Sequence, residues 1–397
     1  MRENPYLKLL RRPGALHFSA TAFVGRLQIS MFGLGAVLLV SAHKGHYGLA
    51  GGVAAADATG YAAVSPLVAR LADRRGQGVV LRPVMAVFGA ATSGLIVGVI
   101  EGAPAWTLLL ASTIAGAATP QLGSMVRSRW SALLGKSPLL HTAFSLESVA
   151  DEVIFVVGPV LVTILATQVS PSAGLVVGGA TCVVGTLAFA DQRRSEPPLQ
   201  IGQRPPAEES RAWDRREPAR GLVTLVPVFV AFGAMLAAID VSTVALATGR
   251  GHRSLAGVLL GGYALGSALG GLWYGARDWR SSTQRRFGVT IWLAALGSAS
   301  FWAMPGLAAL GAAMFFSGLV LSPMLITGFS LIEQQALPGR LTEAMAWVTS
   351  AISLGTAVGA AVAGQVIDAA GPRWGYGLAA LLGAAAVLAK PKLGAPG

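Results

Sequence analysis

Residues 15–42 read ALHFSATAFVGRLQISMFGLGAVLLVSA. The run exceeds the roughly 20 apolar residues that cross a hydrocarbon core as a helix. Arg26 lies near its middle. An arginine at that depth costs roughly 2.5–3.5 kcal/mol on insertion scales. It is therefore expected to face protein or water and to meet an anionic partner. Five carboxylates fall inside other apolar stretches: Asp57, Glu147, Asp151, Glu152 and Asp240. A buried cation with intramembrane acids is the pattern of a polar pathway through a helix bundle, and points toward a carrier.

The rest of the chain agrees. Of 397 residues, 53% are hydrophobic and only 12% charged, against about 25% charged in a soluble domain. Such a chain cannot cover a water-facing surface. The 51 glycines suit close helix approach in lipid, where association has no hydrophobic drive. Cys182 is the single cysteine, which excludes an internal disulfide and a cysteine metal cluster. The basic start (Arg2, Lys8, Arg11, Arg12) precedes an apolar run too long for a signal peptide, so it reads as a retained first span.

Twelve apolar segments are expected to span: 15–42, 47–70, 80–100, 105–126, 142–168, 171–190, 221–248, 254–276, 286–304, 306–330, 342–368 and 374–390. With an inside amino terminus, 25 of the 30 Lys and Arg residues fall on the inner side and 4 on the outer, Arg26 being the last. Both termini are thus expected to be cytoplasmic. The net charge of +12 belongs to that inner face, where anionic lipid is the expected partner. No basic-aromatic nucleic-acid motif is present. Residues 191–220 are polar and proline-rich and read as a cytoplasmic linker. It divides the chain into a bundle over 1–190 and a bundle over 221–397. A shift of 206 residues places Leu49-Ala50-Gly51 on Leu255-Ala256-Gly257, Gly60 on Gly266 and Gly158 on Gly364. Parallel duplication of a six-helix unit is one plan for carriers.

After the second span comes ARLADRRGQ, residues 69–77. It resembles the loop motif of the major facilitator superfamily, close to G-x-L-A-D-R-x-G-R-K, through Leu71, Ala72, Asp73, Arg74 and Gly76. The opening glycine is Ala69 here and the closing basic pair is Gln77-Gly78. A decayed copy, Gly271 to Asp278, follows span eight. The resemblance implies an all-α membrane fold of twelve transmembrane helices in two pseudo-symmetric six-helix bundles. It also implies that Asp73 latches the inner side by meeting the start of span eleven, where Thr342 can cap and Arg340 can reach it. Arg74 and Arg75 would form inner-face ion pairs or only set topology. Gly158-Pro159 in span five looks like the glycine-proline motif of superfamily antiporters, and such a pair kinks a helix. The glycine pair that should follow is Leu161-Val162 here.

Glu147 and Asp151 are four apart, on one face of span five. Glu152 lies beside them. Three acids so close cannot all carry charge cheaply away from water, so they are expected to titrate as a set. Proton coupling is one reading of the group and a structural ion-pair lock is the other. In the superfamily, spans one, four, seven and ten line the cavity. That favours Asp240 as a pathway residue and Gln28, Thr119 and Gln121 as cavity-facing polar groups, with Pro120 loosening span four. Phe315 and Phe316 on span ten are candidates to touch an apolar substrate. Glu101, Glu333, Glu343 and Asp368 lie near span ends and are expected to be solvated. The ladders Gly262-Gly266-Gly270 and Gly355-Gly359 are expected where the two halves slide on each other.

No phosphate loop of the form G-x-x-x-x-G-K-[ST], no H-E-x-x-H and no G-x-S-x-G occurs, so neither an ATP-driven pump nor an enzyme is expected. No cofactor and no metal is expected. The expectation is a monomeric plasma-membrane carrier of a small organic molecule, working by alternating access and coupled to protons, with efflux favoured. Uptake of a sugar or other nutrient, and a receptor or scaffold that does not transport, are the alternatives.

Overall fold

The computed structural model describes residues 4–44, 47–198, 218–337 and 339–389. Those residues form helices and connecting turns with no strand. A short helix α1 (Pro5–Leu10) is capped by the Asn4 side chain, which accepts from the Tyr6 amide. The first six crossings are α2 (Ala15–Lys44), α3 (Tyr47–Arg75), α4 (Gln77–Ile100), the pair α5 (Ala105–Ala117) and α6 (Leu122–Leu134), α7 (Leu140–Gln168) and α8 (Ala173–Ala190). The second six are α9 (Pro218–Gly249), α10 (Arg253–Gly275), α11 (Thr283–Phe301), the pair α12 (Leu307–Gly318) and α13 (Leu321–Gln335), α14 (Leu341–Ala370) and α15 (Pro372–Leu388). Eight of the twelve are long and apolar enough to cross a membrane on length and composition alone.

Spans four and ten, expected as single helices, are each broken. Pro120 has no amide to donate and disfavours helical backbone at Thr119. The chain responds by tightening: the Thr119 amide bonds Gly116 O at 3.0 Å and the Leu122 amide bonds Pro120 O at 2.9 Å. In span ten the proline lies just past the break: Pro323 has no amide to offer Leu319 O and its ring crowds that carbonyl, and the Val320 amide bonds Ser317 O at 3.2 Å, one turn of tighter helix between α12 and α13.

Three boundaries differ from the sequence reading. α6 runs on to Leu134, so Arg127 and Arg129 lie in a helix and are 3% and 0% exposed, not loop residues. α3 continues to Arg75, and Gly76 alone separates it from α4, with φ +96°. Glycine is the residue that takes such a conformation without a Cβ penalty, which accounts for its place in the motif. Finally, the linker expected over 191–220 begins as ordered structure: residues 193–195 form a 3-10 turn, and Pro218 opens α9. Residues 199–217 lie outside the described residues.

The chain divides into two compact units, one of Met1–Ser137 with Val153–Leu199, the other of Pro138–Glu152 with Gln200–Gly397. The start of α7 therefore groups with the second unit. Thr142 Oγ1 donates to Gly275 O at 2.7 Å and Ser145 Oγ to Gly271 O at 2.5 Å, which ties it to the end of α10.

Within the first unit α2 packs on α3 and α8, α3 on α5, and α4 on α5 and α8. Within the second, α9 packs on α10, α14 and α15, α10 on α12, and α11 on α12 and α15. Beyond the packing of α9 on α14, the pattern repeats. Glycine seams carry it: a Cβ on Gly60 would strike Thr113 O and one on Gly116 would strike Asp57 O, while Gly266 and Gly318 stand in the same way against Phe315 O and Tyr263 O. The 206-residue shift that pairs Gly60 with Gly266 also pairs Asp57 with Tyr263. The expected sliding role of the two glycine ladders is not what these positions do. Gly266 and Gly270 admit the backbone of span ten, and Gly355 and Gly359 admit that of α9 at Val230 and Ala234; all of this lies inside the second unit. Gly262 faces open space.

A valine at Gly60 or Gly266 should lower stability by about 1–3 kcal/mol through overpacking, read as an earlier thermal unfolding of the detergent-solubilised protein. Gly51 and Gly257, also paired by the shift, face open space, where a methyl group would meet no atom within 4 Å. Alanine there should be neutral, or stabilising by up to about 1 kcal/mol.

Candidate functional site

In the first unit Arg26 is 1% exposed, so protein and not lipid surrounds it. Its Nε donates to Ala22 O at 3.2 Å. Arg26 and Arg127 both pass Gly123, the nearest side-chain atoms to a Cβ there being Arg127 Nη1 and Arg26 Cδ, and Arg127 Nη1 also donates to Gly123 O at 3.0 Å. Thr119 and Gln121 flank the break in span four, both buried, with Thr119 Oγ1 donating to Ala115 O at 3.1 Å. Gln28 is buried as well. Gln28 Oε1, Gln121 Nε2 and Asp57 Oδ1 are buried atoms with no hydrogen-bond partner among the described residues. Buried polar atoms left so are costly and need an explanation such as water or a ligand. Gly158 abuts Ser30, whose hydroxyl donates to Ile154 O at 2.8 Å, and the helix runs through Pro159 without interruption.

In the second unit an ordered chain of hydroxyls ends on a carboxylate. Ser267 Oγ donates to Glu152 Oε1 at 2.5 Å and lies 3.0 Å from Ser322 Oγ. A hydroxyl has one proton, so with Ser267 committed to Glu152 the Ser322 hydroxyl donates to Ser267. Asp151 and Asp240 are close enough to act on Glu152 electrostatically. Tyr263 lies within the same range of Asp240 and Glu152. Asp240 keeps an accessible side chain on α9, Asp151 is half-buried and Glu147 is fully buried. Phe315 and Phe316 meet edge to face at 5.5 Å just before the break in span ten, and Phe316 is 66% exposed. The structure thus joins Glu152, Asp151 and Asp240 and adds Ser267, Ser322 and Tyr263. No sequence signal singled out the serines, because isolated hydroxyls are frequent in small-residue helices.

At the loop motif Asp73 is half-buried, and Arg74 and Arg75 are exposed. The capping role expected of Thr342 is not made. Arg340 occupies the cap position of α14, no side chain caps it, and Thr342 Oγ1 is buried inside the first turn without a partner among the described residues. Arg340 grips Glu343 through Nε and Nη2, both at 2.7 Å. Glu343 is accordingly 7% exposed, not solvated as expected. An acid in the first helical turn is also favoured by the backbone dipole.

Where the motif's basic pair is replaced, Gln77 meets a different cation. Arg129 Nε donates to Gln77 Oε1 at 2.8 Å, and Nη1 donates to Ser195 Oγ at 2.8 Å and Gln192 O at 3.3 Å. The guanidinium stands 3.6 Å from the centre of the Phe189 ring. The Gly78 amide donates to Glu196 Oε1 at 3.0 Å, and Arg82 pairs with Asp191 at 2.8 Å. The Glu196 carboxylate also lies within electrostatic range of Arg129. These contacts fold residues 191–196 onto the first unit.

A model of the major facilitator superfamily matches residues 18–276. The chain belongs to that superfamily and is a multi-pass membrane transporter by fold. Among solved structures it is similar to the human organic anion transporter MFSD10, with TM-score 0.72 and 17% identity over 96% of this chain and 100% of that one. It is similar to a bacterial homologue of the iron transporter ferroportin in an outward-facing state, with TM-score 0.70 and 13% identity over 94% of this chain and 97% of that one. It also resembles the E. coli fucose:proton symporter, with TM-score 0.68 and 14% identity over 96% and 98%. No curated protein matches the chain.

Arg129→Ala should cost roughly 1.5–3 kcal/mol, the range for hydrogen bonds to a charged group, and should speed amide exchange in residues 191–196. Lysine should not restore protection, since an ammonium lacks the guanidinium fork. Unchanged exchange in that segment would show that Arg129 does not hold it.

Proposed function

We propose that this chain is a secondary active transporter of a small organic molecule, working by alternating access and coupled to protons, with export as its direction. The observation that carries the proposal is the Ser322–Ser267–Glu152 chain with Asp151 and Asp240 within electrostatic range. Carboxylates this close, inside apolar spans, offer a proton a place to rest between the two faces. Ser267 and Ser322 orient Glu152. Asp240 supplies an accessible acid from the neighbouring helix. Arg26, Glu147 and Asp57 complete the intramembrane charge set.

The substrate would lie at the level of the two helix breaks. Interrupted helices in corresponding positions of two repeats are a pointer to the binding site of a carrier, and Thr119, Gln121, Phe315 and Phe316 all sit at them. Gln28 and Gln121 would supply hydrogen bonds, and the exposed Phe316 ring an apolar contact. Export is favoured by the Gly158-Pro159 resemblance to antiporters. Proton-driven uptake of a sugar is the second reading, favoured by the similarity in fold to the fucose symporter and to a proton:xylose symporter. The excess of basic residues on one side supports a plasma-membrane protein with both termini cytoplasmic. The working halves would be 1–190 and 221–397, joined by 191–220.

The test is transport in proteoliposomes carrying an imposed pH gradient, with cationic, zwitterionic and sugar substrates screened in both directions. Glu152→Gln should abolish the proton-driven component and leave downhill substrate exchange in place. Flux indifferent to the gradient, and unaltered in Glu152→Gln, would remove proton coupling. Absence of any flux would favour a receptor.

A further inference from the structure

We propose that the link between α10 and α11 binds the phosphate headgroup of an anionic membrane phospholipid, through a cluster of arginines built around stacked aromatic rings. Trp279 stacks on Tyr274 with ring centres 4.7 Å apart and meets Trp273 edge-on at 5.7 Å. Its Nε1 donates to Tyr274 O at 3.0 Å, which folds the link back onto the end of α10. Two guanidinia flank this stack. Arg277 lies over the Trp273 ring at 4.7 Å. Arg286 lies 5.6 Å from the Tyr274 ring and 5.8 Å from that of Trp279, with Nη1 donating to the Tyr274 hydroxyl at 2.5 Å.

Arg280 and Arg285 are exposed beside them. Among the described residues none of the four arginines pairs with a carboxylate, and Asp278 is the single acid in 271–286. Arg277 and Arg286 are held against the rings, Arg286 also donating through Nη2 to Thr283 Oγ1 at 3.2 Å, and Arg280 and Arg285 add exposed guanidinium donors, the chemistry that suits phosphate oxygens. This is also where the second half departs from the loop motif of the first: the Asp-Arg-Arg-Gly turn there is replaced by aromatic rings and arginines.

A free anion would need only the arginines. The apolar side of the cluster argues for a lipid. Trp273 is 53% exposed, and Leu265, Leu269 and Leu272 follow on the same face of α10, at 54%, 44% and 38%. A tryptophan at headgroup level with an exposed leucine stripe running from it offers one acyl chain a continuous track. The orientation proposed above assigns the lipid to the inner leaflet, where anionic lipid is concentrated. Binding itself does not depend on that reading, nor on transport.

The experiment is titration of the purified full chain in detergent with phosphatidylglycerol or phosphatidylcholine, read by native mass spectrometry, with inorganic phosphate as competitor. The wild type should retain phosphatidylglycerol over phosphatidylcholine. Affinity for phosphatidylglycerol should fall about fivefold for each arginine removed in the double variant Arg280→Gln, Arg285→Gln. Both side chains are exposed, so lipid-free thermal unfolding should match the wild type and exclude misfolding. Trp273→Leu, which keeps an apolar contact, should lose part of the preference. Equal retention of the two lipids, or wild-type affinity in the double variant, would overturn the site. Full displacement by inorganic phosphate at equal concentration would overturn the lipid assignment.

Discussion

Hydrocarbon offers no hydrogen bond, so each polar atom placed in it must be answered by the chain itself. That constraint orders most of what is distinctive here. Hydroxyls bond back to carbonyls a turn earlier, as Thr119 does to Ala115 and Ser242 does to Ala238. Longer side chains are gathered where several helices can share them, as around Arg129 and around Glu152. The same constraint makes close backbone approach valuable, because neighbouring helices hold each other by packing. The glycine seams and the polar clusters are two responses to one solvent.

The repeated seam shows how the two halves came to differ. Gly60 and Gly116 admit span four to span two, and Gly266 and Gly318 admit span ten to span eight. The frame is the same, yet the equivalent positions in it are Asp57 and Tyr263. One half carries an acid there and the other a phenol that lies near the carboxylates of Glu152 and Asp240. The packing, which tolerates little change in volume, is alike in the two halves, while side chains within the frame carry different chemistry.

Much of the architecture was legible from residues alone. Twelve apolar runs, the basic asymmetry and the Leu71-Ala72-Asp73-Arg74 motif led to the superfamily that the family model identifies. Hydropathy reads such features well because burial in lipid acts on whole segments. It reads interruptions poorly. The break at Thr119 to Gln121 was only half visible through Pro120, and that at Leu319 and Val320 is displaced from its proline, Pro323, which acts on the carbonyl four residues before it. Charge was also misread wherever pairing decides burial. Arg129 and Glu343 look like surface residues until Gln77 and Arg340 are placed beside them. Glycine ladders identify a close contact without naming the partner, so the surfaces served by Gly266 and Gly355 needed coordinates.

The breaks in spans four and ten bear on how such a molecule bends. An intact helix resists flexing because its ladder of bonds must open first, but at 118–121 part of that ladder is already missing. Tilting α6 against α5 there sacrifices nothing further, and the shorter lapse between α12 and α13 grants span ten a weaker version of the same freedom. Each half therefore contains a point in one span where the two parts of that span can tilt against each other, while the glycine seams clamp the helix beside it.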